Sequence, residues 1–118
     1  IYMDIDSMSL AEIWKEIDRR ANERPDLLKD IHATYSFHIT GEDSGEYGLK
    51  FENSKATVIE GGYVDADCSM KMSFENFKKL LQGNLNAATA YMTGRLKVNG
   101  NLALGLKLEQ LLKKFPIE

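Results

Sequence analysis

Two histidines, His32 and His38, one cysteine, Cys68, and the acidic pair Asp65 and Asp67 are the residues from which this chain could build a reactive centre. A histidine beside a thiol would supply a nucleophile and its base, and carboxylates two residues apart open many calcium loops. Neither centre assembles. His32 falls near the end of a short apolar helical run, where a cation is mildly favoured, and His38 alternates onto the polar side of a strand pattern. Cys68 alternates with Met70 onto the apolar side, and a buried thiol without a basic neighbour is inert. Asp65 and Asp67 lack a third oxygen donor and a closing glutamate, so they read as the solvated start of a strand. Gly94, Gly100 and Gly105 fit caps, turns or packing sites, because they lack the glycine order that cradles a phosphate. A single cysteine excludes an internal disulfide and gives no metal-ligand spacing. No cofactor and no metal are implied, and no nucleophile–base pair can be drawn, so the chain does not read as an enzyme.

The 118 residues suffice for one domain with a core and are too few to suggest two. A hydrophobic fraction of 43% and a charged fraction of 28% are those of a soluble globular protein. Net charge is −3 and the pI about 5.4, which lacks the basic footprint of a nucleic-acid binder. No apolar run approaches the ~20 residues that cross a bilayer. Ile1–Ser7 is short and acidic, unlike a signal or transit peptide. The start at Ile1 suggests a trimmed chain with Met3 or Met8 as candidate native starts. Residues 1–8 are therefore assigned to an N-terminal extension and residues 9–118 to a single domain. The lone cysteine fits a reducing, cytoplasmic setting.

The elements that must position these residues follow from periodicity. Ser9 and Glu12 form a capping box, behind which Leu10, Ile13, Trp14, Ile17 and Ala21 make one apolar stripe that ends before Pro25. A second short helix is expected over roughly Asp26–His32. Tyr35, Phe37 and Ile39 then alternate with Ser36, His38 and Thr40, and Tyr47, Leu49 and Phe51 alternate after the turn at residues 41–45. Asn53-Ser54 turns the chain into Lys55–Glu60, Gly61-Gly62 breaks that strand, and Cys68, Met70 and Met72 alternate again. Four strands joined by short turns predict an antiparallel meander with one buried face. Ser73 caps a helix with the stripe Phe74, Phe77, Leu80 and Leu81 that stops at Gly83. Asn86 caps a shorter one that stops at Gly94, Arg95–Asn99 forms a fifth strand, and Asn101 caps the last helix.

That last helix carries more leucine than a docking helix requires. At about 100° per residue, Leu104, Leu108, Leu111, Leu112 and Phe115 share one face, whereas Leu102 and Leu106 lie on a second arc about 160° away, with Gly105 in the gap. Neighbouring loops would satisfy the second arc in an ordinary core. The alternatives are another chain, a membrane or a ligand. Met70, Met72, Met92, Phe74, Phe77 and Tyr91 favour an adaptable apolar space, since methionine fills irregular volume.

Over Ala66–Leu112 the chain resembles the sterol carrier protein-2 (SCP-2) family. The resemblance is carried by the alternating run Ala66–Met72, by Phe77–Gly83, and above all by Ala90-Tyr91-Met92-Thr93-Gly94-Arg95-Leu96-Lys97-Val98-Asn99-Gly100-Asn101-Leu102-Ala103-Leu104. The N-terminal half matches only in the order of its elements. The resemblance implies an α/β fold of the α+β type: a curved, largely antiparallel five-stranded sheet under about five helices, with an internal apolar tunnel. It also implies a non-catalytic intracellular carrier of fatty acids, fatty acyl-CoA or sterol-like lipids. Carried over by position, the tunnel lining comprises Phe74, Phe77, Leu81, Tyr91, Met92, Leu102, Leu104, Leu106 and Leu108. Thr93 departs from the glutamine of many animal members, and Phe115-Pro116-Ile117-Glu118 departs from their peroxisomal tripeptide.

Lys78, Lys79, Arg95 and Lys97 would then be either a solvated face or a small basic rim that attracts acyl-CoA phosphates or anionic lipid. Expected partners are the lipid itself and, transiently, a membrane surface; nucleic acid is not among them, and a monomer or weak dimer is expected. The alternative is an accessory or dimerisation module of a larger protein, whose second leucine arc packs on a partner.

Overall fold

The structure is a computed structural model that describes residues 4–115. Its first helix, α1 (Leu10–Asn22), starts at the anticipated capping box: the Glu12 N–H donates to the Ser9 hydroxyl at 3.2 Å and the Ser9 N–H donates to the Glu12 carboxylate at 2.9 Å. The Ser9 contacts hold the Glu12 carboxyl below the usual carboxylate range. Leu10, Ile13, Trp14 and Ala21 of the stripe are buried, and Ile17 is partly so. Pro25 opens α2 (Pro25–Leu28), a single turn shorter than its leucines suggest.

Among the described residues the sheet has five strands: β1 (Ala33–Thr40), β2 (Gly45–Glu52), β3 (Lys55–Glu60), β4 (Cys68–Ser73) and β5 (Lys97–Gly100). β1, β2 and β3 form the expected meander, and Asn53 and Ser54 both take the positive φ of a two-residue hairpin turn. The fourth strand departs from it. The order is β3-β2-β1-β4-β5, with β4 parallel to β1 and antiparallel to β5. The physical reason lies in Asp67. Its carboxylate accepts the Thr34 N–H at 2.9 Å and the Thr34 hydroxyl at 3.1 Å, and its own N–H donates to that hydroxyl at 3.0 Å. The starts of β1 and β4 are thereby clipped side by side, which sends both strands the same way. Asp67 thus begins a strand, as expected, but with its carboxylate engaged.

Helices cover one face of this sheet. Tyr35, Phe37, Ile39, Leu49, Phe51, Cys68, Met70 and Met72 point into that layer and are buried. Trp14 is the hub, its ring 5.1 Å from Phe37, 5.1 Å from Tyr47 and 5.3 Å from Phe77 between centroids. Side chains of this size contribute about 1.5–3 kcal/mol each when fully buried. Ser73 caps α3 (Phe74–Leu81), Asn86 caps α4 (Ala87–Met92) and Asn101 caps α5 (Leu102–Leu112), each through its side-chain oxygen. β5 begins two residues later than its alternation suggests, because the Arg95 and Leu96 N–H groups donate to the Ala90 carbonyl at 2.9 and 3.1 Å and still belong to the turn after α4. Gly100 turns the chain from β5 into α5 at φ +94°, where a Cβ would stand 2.5 Å from the Asp67 carbonyl oxygen. The opposite sheet face carries Ser36, His38, Ser69 and Lys71, which are exposed or half-buried.

Candidate functional site

α5 is held over the sheet by polar contacts that fix its depth and rotation. The Tyr35 hydroxyl, rising from β1, donates to the Leu104 carbonyl at 2.7 Å. Burial pushes the Tyr35 pKa upward, so the hydroxyl remains a donor throughout the ordinary pH range. The Lys107 ammonium donates to the Asp30 carbonyl at 2.8 Å. Gly105 is buried against β4; a Cβ there would lie 3.9 Å from both Cys68 Sγ and Met70 Sδ. Burial, aided by Asp67, raises the Cys68 thiol pKa, which keeps it protonated and unreactive.

The helix therefore presents its two leucine arcs to different surroundings. Leu108 and Leu111 are buried in the core. They also line a small apolar recess of about 40 Å³ with Leu81, Leu49, Phe51 and Phe115. On the other arc, Leu102 and Leu106 are 41% and 40% exposed, and Met92 on α4 is 82% exposed. Together with Ala87, Ala88, Tyr91, Leu96, Val98 and Gly105 they enclose a groove of about 170 Å³ walled by apolar surface. α4 supplies a thin wall because its inward residues, Ala87 and Ala90, are small.

A buried carboxylate sets the spacing of that wall. Glu109 of α5 is 8% exposed and accepts the Ala87 N–H at 2.7 Å, tying the first turn of α4 to α5. Sequence reasoning missed this residue: on the helical wheel it falls beside Leu106 and passes for a solvated position. The available signal was the lack of any acidic residue in the first turn of α4, where an anion is favoured.

Of the nine residues expected to line a tunnel, Tyr91, Met92, Leu102 and Leu106 meet in the groove, and Leu81 and Leu108 line the smaller recess. Phe74 and Phe77 sit in the core, Phe77 stacked on Trp14 and Phe74 beneath the Lys78 ammonium. Leu104 is partly buried and serves through its carbonyl. Ala87, Ala88, Leu96, Val98 and Gly105 complete the lining and were not anticipated. The four candidate cations are divided: Lys78 lies over the Phe74 ring, Lys79 pairs with Glu75 at 3.4 Å, Arg95 donates to the Thr93 hydroxyl at 3.0 Å, and Lys97 faces the far side of the sheet.

This arrangement can shelter hydrocarbon from water, and the groove lining brings no acid–base pair to it. Among the described residues no cluster of His, Cys, Asp or Glu is suited to a metal, and no helix is long and apolar enough to cross a membrane. A family model described as the SCP-2 sterol transfer family matches residues 14–113. Hydroxysteroid dehydrogenase-like protein 2 of Xenopus laevis is 36% identical over 108 residues, covering 91% of this chain and 25% of that protein. The chain thus spans about a quarter of that relative's length. Among solved structures, apo sterol carrier protein 2 from Yarrowia lipolytica aligns with a TM-score of 0.70 and 25% identity, over 90% of this chain and 91% of that one. Sterol carrier protein-2 from Aedes aegypti, solved with the C16 fatty acid palmitate, aligns with a TM-score of 0.66 and 20% identity, over 92% and 99%.

Proposed function

This chain belongs to the SCP-2 sterol transfer family, and we propose that it acts as a non-catalytic carrier of fatty acids, fatty acyl-CoA or sterol-like lipids, with the hydrocarbon part of the lipid seated in the groove between α4 and α5. The observation that carries the reading is the apolar groove itself, open to solvent along Leu102, Leu106 and Met92. Exposed leucine and methionine around a concavity are disfavoured in water unless something covers them. The palmitate held by the mosquito protein of the same fold supports a fatty acyl chain as the occupant.

Magnitudes set the terms. The 170 Å³ groove is comparable to the cavity of about 150 Å³ that accepts benzene. It therefore seats the end of an acyl chain as it stands. Each methylene withdrawn from water contributes about 0.8 kcal/mol, so a C16 chain offers about 10 kcal/mol only if it is wholly covered. Full coverage requires α4 and α5 to part and the groove to extend under α5 toward the smaller recess. Such burial is tolerant of headgroup and sensitive to chain length.

Native mass spectrometry of gently purified protein and titration with a fluorescent fatty acid test this reading. A co-purifying lipid mass and an affinity that rises with chain length are expected; absence of both sinks it. The second reading, an accessory module whose groove packs on a partner or on another part of a longer protein, draws on the chain spanning 25% of the Xenopus relative. A stable dimer in light scattering, with no lipid uptake, would favour it.

A further inference from the structure

The face of the sheet turned away from the helices holds a cleft of about 400 Å³ that the lipid reading leaves unused. Strand register explains its floor. Glu46, His38, Lys71 and Lys97 stand in one row across β2, β1, β4 and β5, with Ser36, Ser69 and Asn99 in the next row. One wall is the segment between β3 and β4. Ser36 pins it, its hydroxyl accepting the Tyr63 N–H at 2.7 Å and donating to the Tyr63 carbonyl at 2.9 Å. The Tyr63 ring lies over Gly48, where a Cβ would stand only 2.7 Å from it. The wall is thus preformed, and Val64 beside it is fully exposed.

The charges are unbalanced. Lys71 and Lys97 are directly paired across β4 and β5, an arrangement in which like charges destabilise a sheet. Neither lysine has an ion pair among the described residues, although the chain as a whole is acidic. Glu46, the row's only carboxylate, sits at the far end, 3.7 Å from His38 Nδ1. Ser69 and Asn99 leave their side-chain polar groups unused by other described residues. A pair of uncompensated ammonium groups over unused neutral donors, inside a concavity, is a site for an oxyanion. The volume far exceeds what a lone phosphate fills and lies within the range of about 300–1,000 Å³ typical of small-molecule sites.

We propose that this cleft binds a small organic phosphate, with Lys71 and Lys97 taking the phosphate oxygens, Ser69 and Asn99 meeting polar groups of the ligand body, and Tyr63 and Val64 covering its less polar side. The site lies on the opposite face from the lipid groove and does not depend on it.

Amide chemical-shift titration of the folded chain tests the assignment, with pyrophosphate and adenosine monophosphate as probes and adenosine as the uncharged control. Saturable shifts centred on residues 61–64, 69–71 and 97–99 are expected with both phosphates and not with adenosine. The Lys71→Gln, Lys97→Gln double variant should weaken binding by about tenfold or more (about 1.4 kcal/mol per decade). Its thermal midpoint should hold or rise, since a like-charge pair is removed. Lipid uptake should be unchanged in the double variant. No saturable shift, or equal binding by the variant, overturns the proposal. So does lysine-dependent sedimentation with vesicles containing phosphatidic acid when neither soluble phosphate binds, because the phosphate would then be a lipid headgroup.

Discussion

Leu106 and Leu108 are the same residue on the same helix, two positions apart, yet one is 40% exposed and the other 2%. The difference lies in what stands opposite. Leu108 shares its recess with Leu49 and Phe51 of the sheet and Ile17 and Ala21 of α1, whereas Leu106 meets a six-residue helix whose inward positions are alanines. One face of α5 is therefore a folding surface and the other is an open wall. Substituting a charge at each face separates them most sharply. Leu108→Asp buries an unpaired carboxylate in the core and should cost about 4 kcal/mol or more, read from urea denaturation. A cost near that of an exposed substitution would mean that the docking face is not where α5 gets its stability.

Glu109 joins the two faces, so it comes next in size. Glu109→Ala leaves the buried Ala87 N–H without its acceptor and should cost about 1–3 kcal/mol. Hydrogen exchange should accelerate most at the amides of α4. Glu109→Gln retains an oxygen acceptor and should recover much of the loss. Uniform exchange across the whole domain in the alanine variant would show that α4 is not held separately by this contact.

How much of this was legible in the chain divides along the same line. Caps at Ser9, Ser73, Asn86 and Asn101 were legible because a side chain that satisfies backbone donors acts within three residues. Alternation placed Tyr35, Phe37, Cys68 and Met70 on the buried face for the same local reason. The side-by-side starts of β1 and β4 were not legible, since the Thr34–Asp67 clip joins residues far apart in sequence. The two leucine arcs were legible from helical spacing. That the second arc opens on a groove with Tyr91 and Met92, and that Glu109 is buried, required the tertiary placement of α4.

On the groove face, charge should separate uptake from stability. Leu106→Asp and Met92→Asp each alter an exposed side chain, so each should cost no more than about 1 kcal/mol. Both should abolish uptake of a fluorescent fatty acid, because a carboxylate must be desolvated against hydrocarbon. If either matched Leu108→Asp in denaturation, the two faces would be one continuous core.

The finest test uses a single methyl group. Gly105 interrupts α5 where the helix crosses β4, and a glycine in a helix interior costs about 0.8–1.0 kcal/mol relative to alanine. Folding alone gives no reason for it: a Cβ would meet Cys68 Sγ and Met70 Sδ at 3.9 Å, ordinary contact distance, so alanine fits. Gly105 does, however, line the groove, and a methyl there takes space from an occupant. Gly105→Ala should therefore raise stability by up to about 1 kcal/mol. It should also weaken fatty-acid binding roughly fourfold, the equivalent of about 0.8 kcal/mol for one methylene displaced. A gain in stability with a loss of uptake would identify the glycine as space kept for a ligand. A gain in stability with uptake unchanged would place the acyl chain away from the first turns of α5, and the groove would have to be sought on the Leu108 side of the helix.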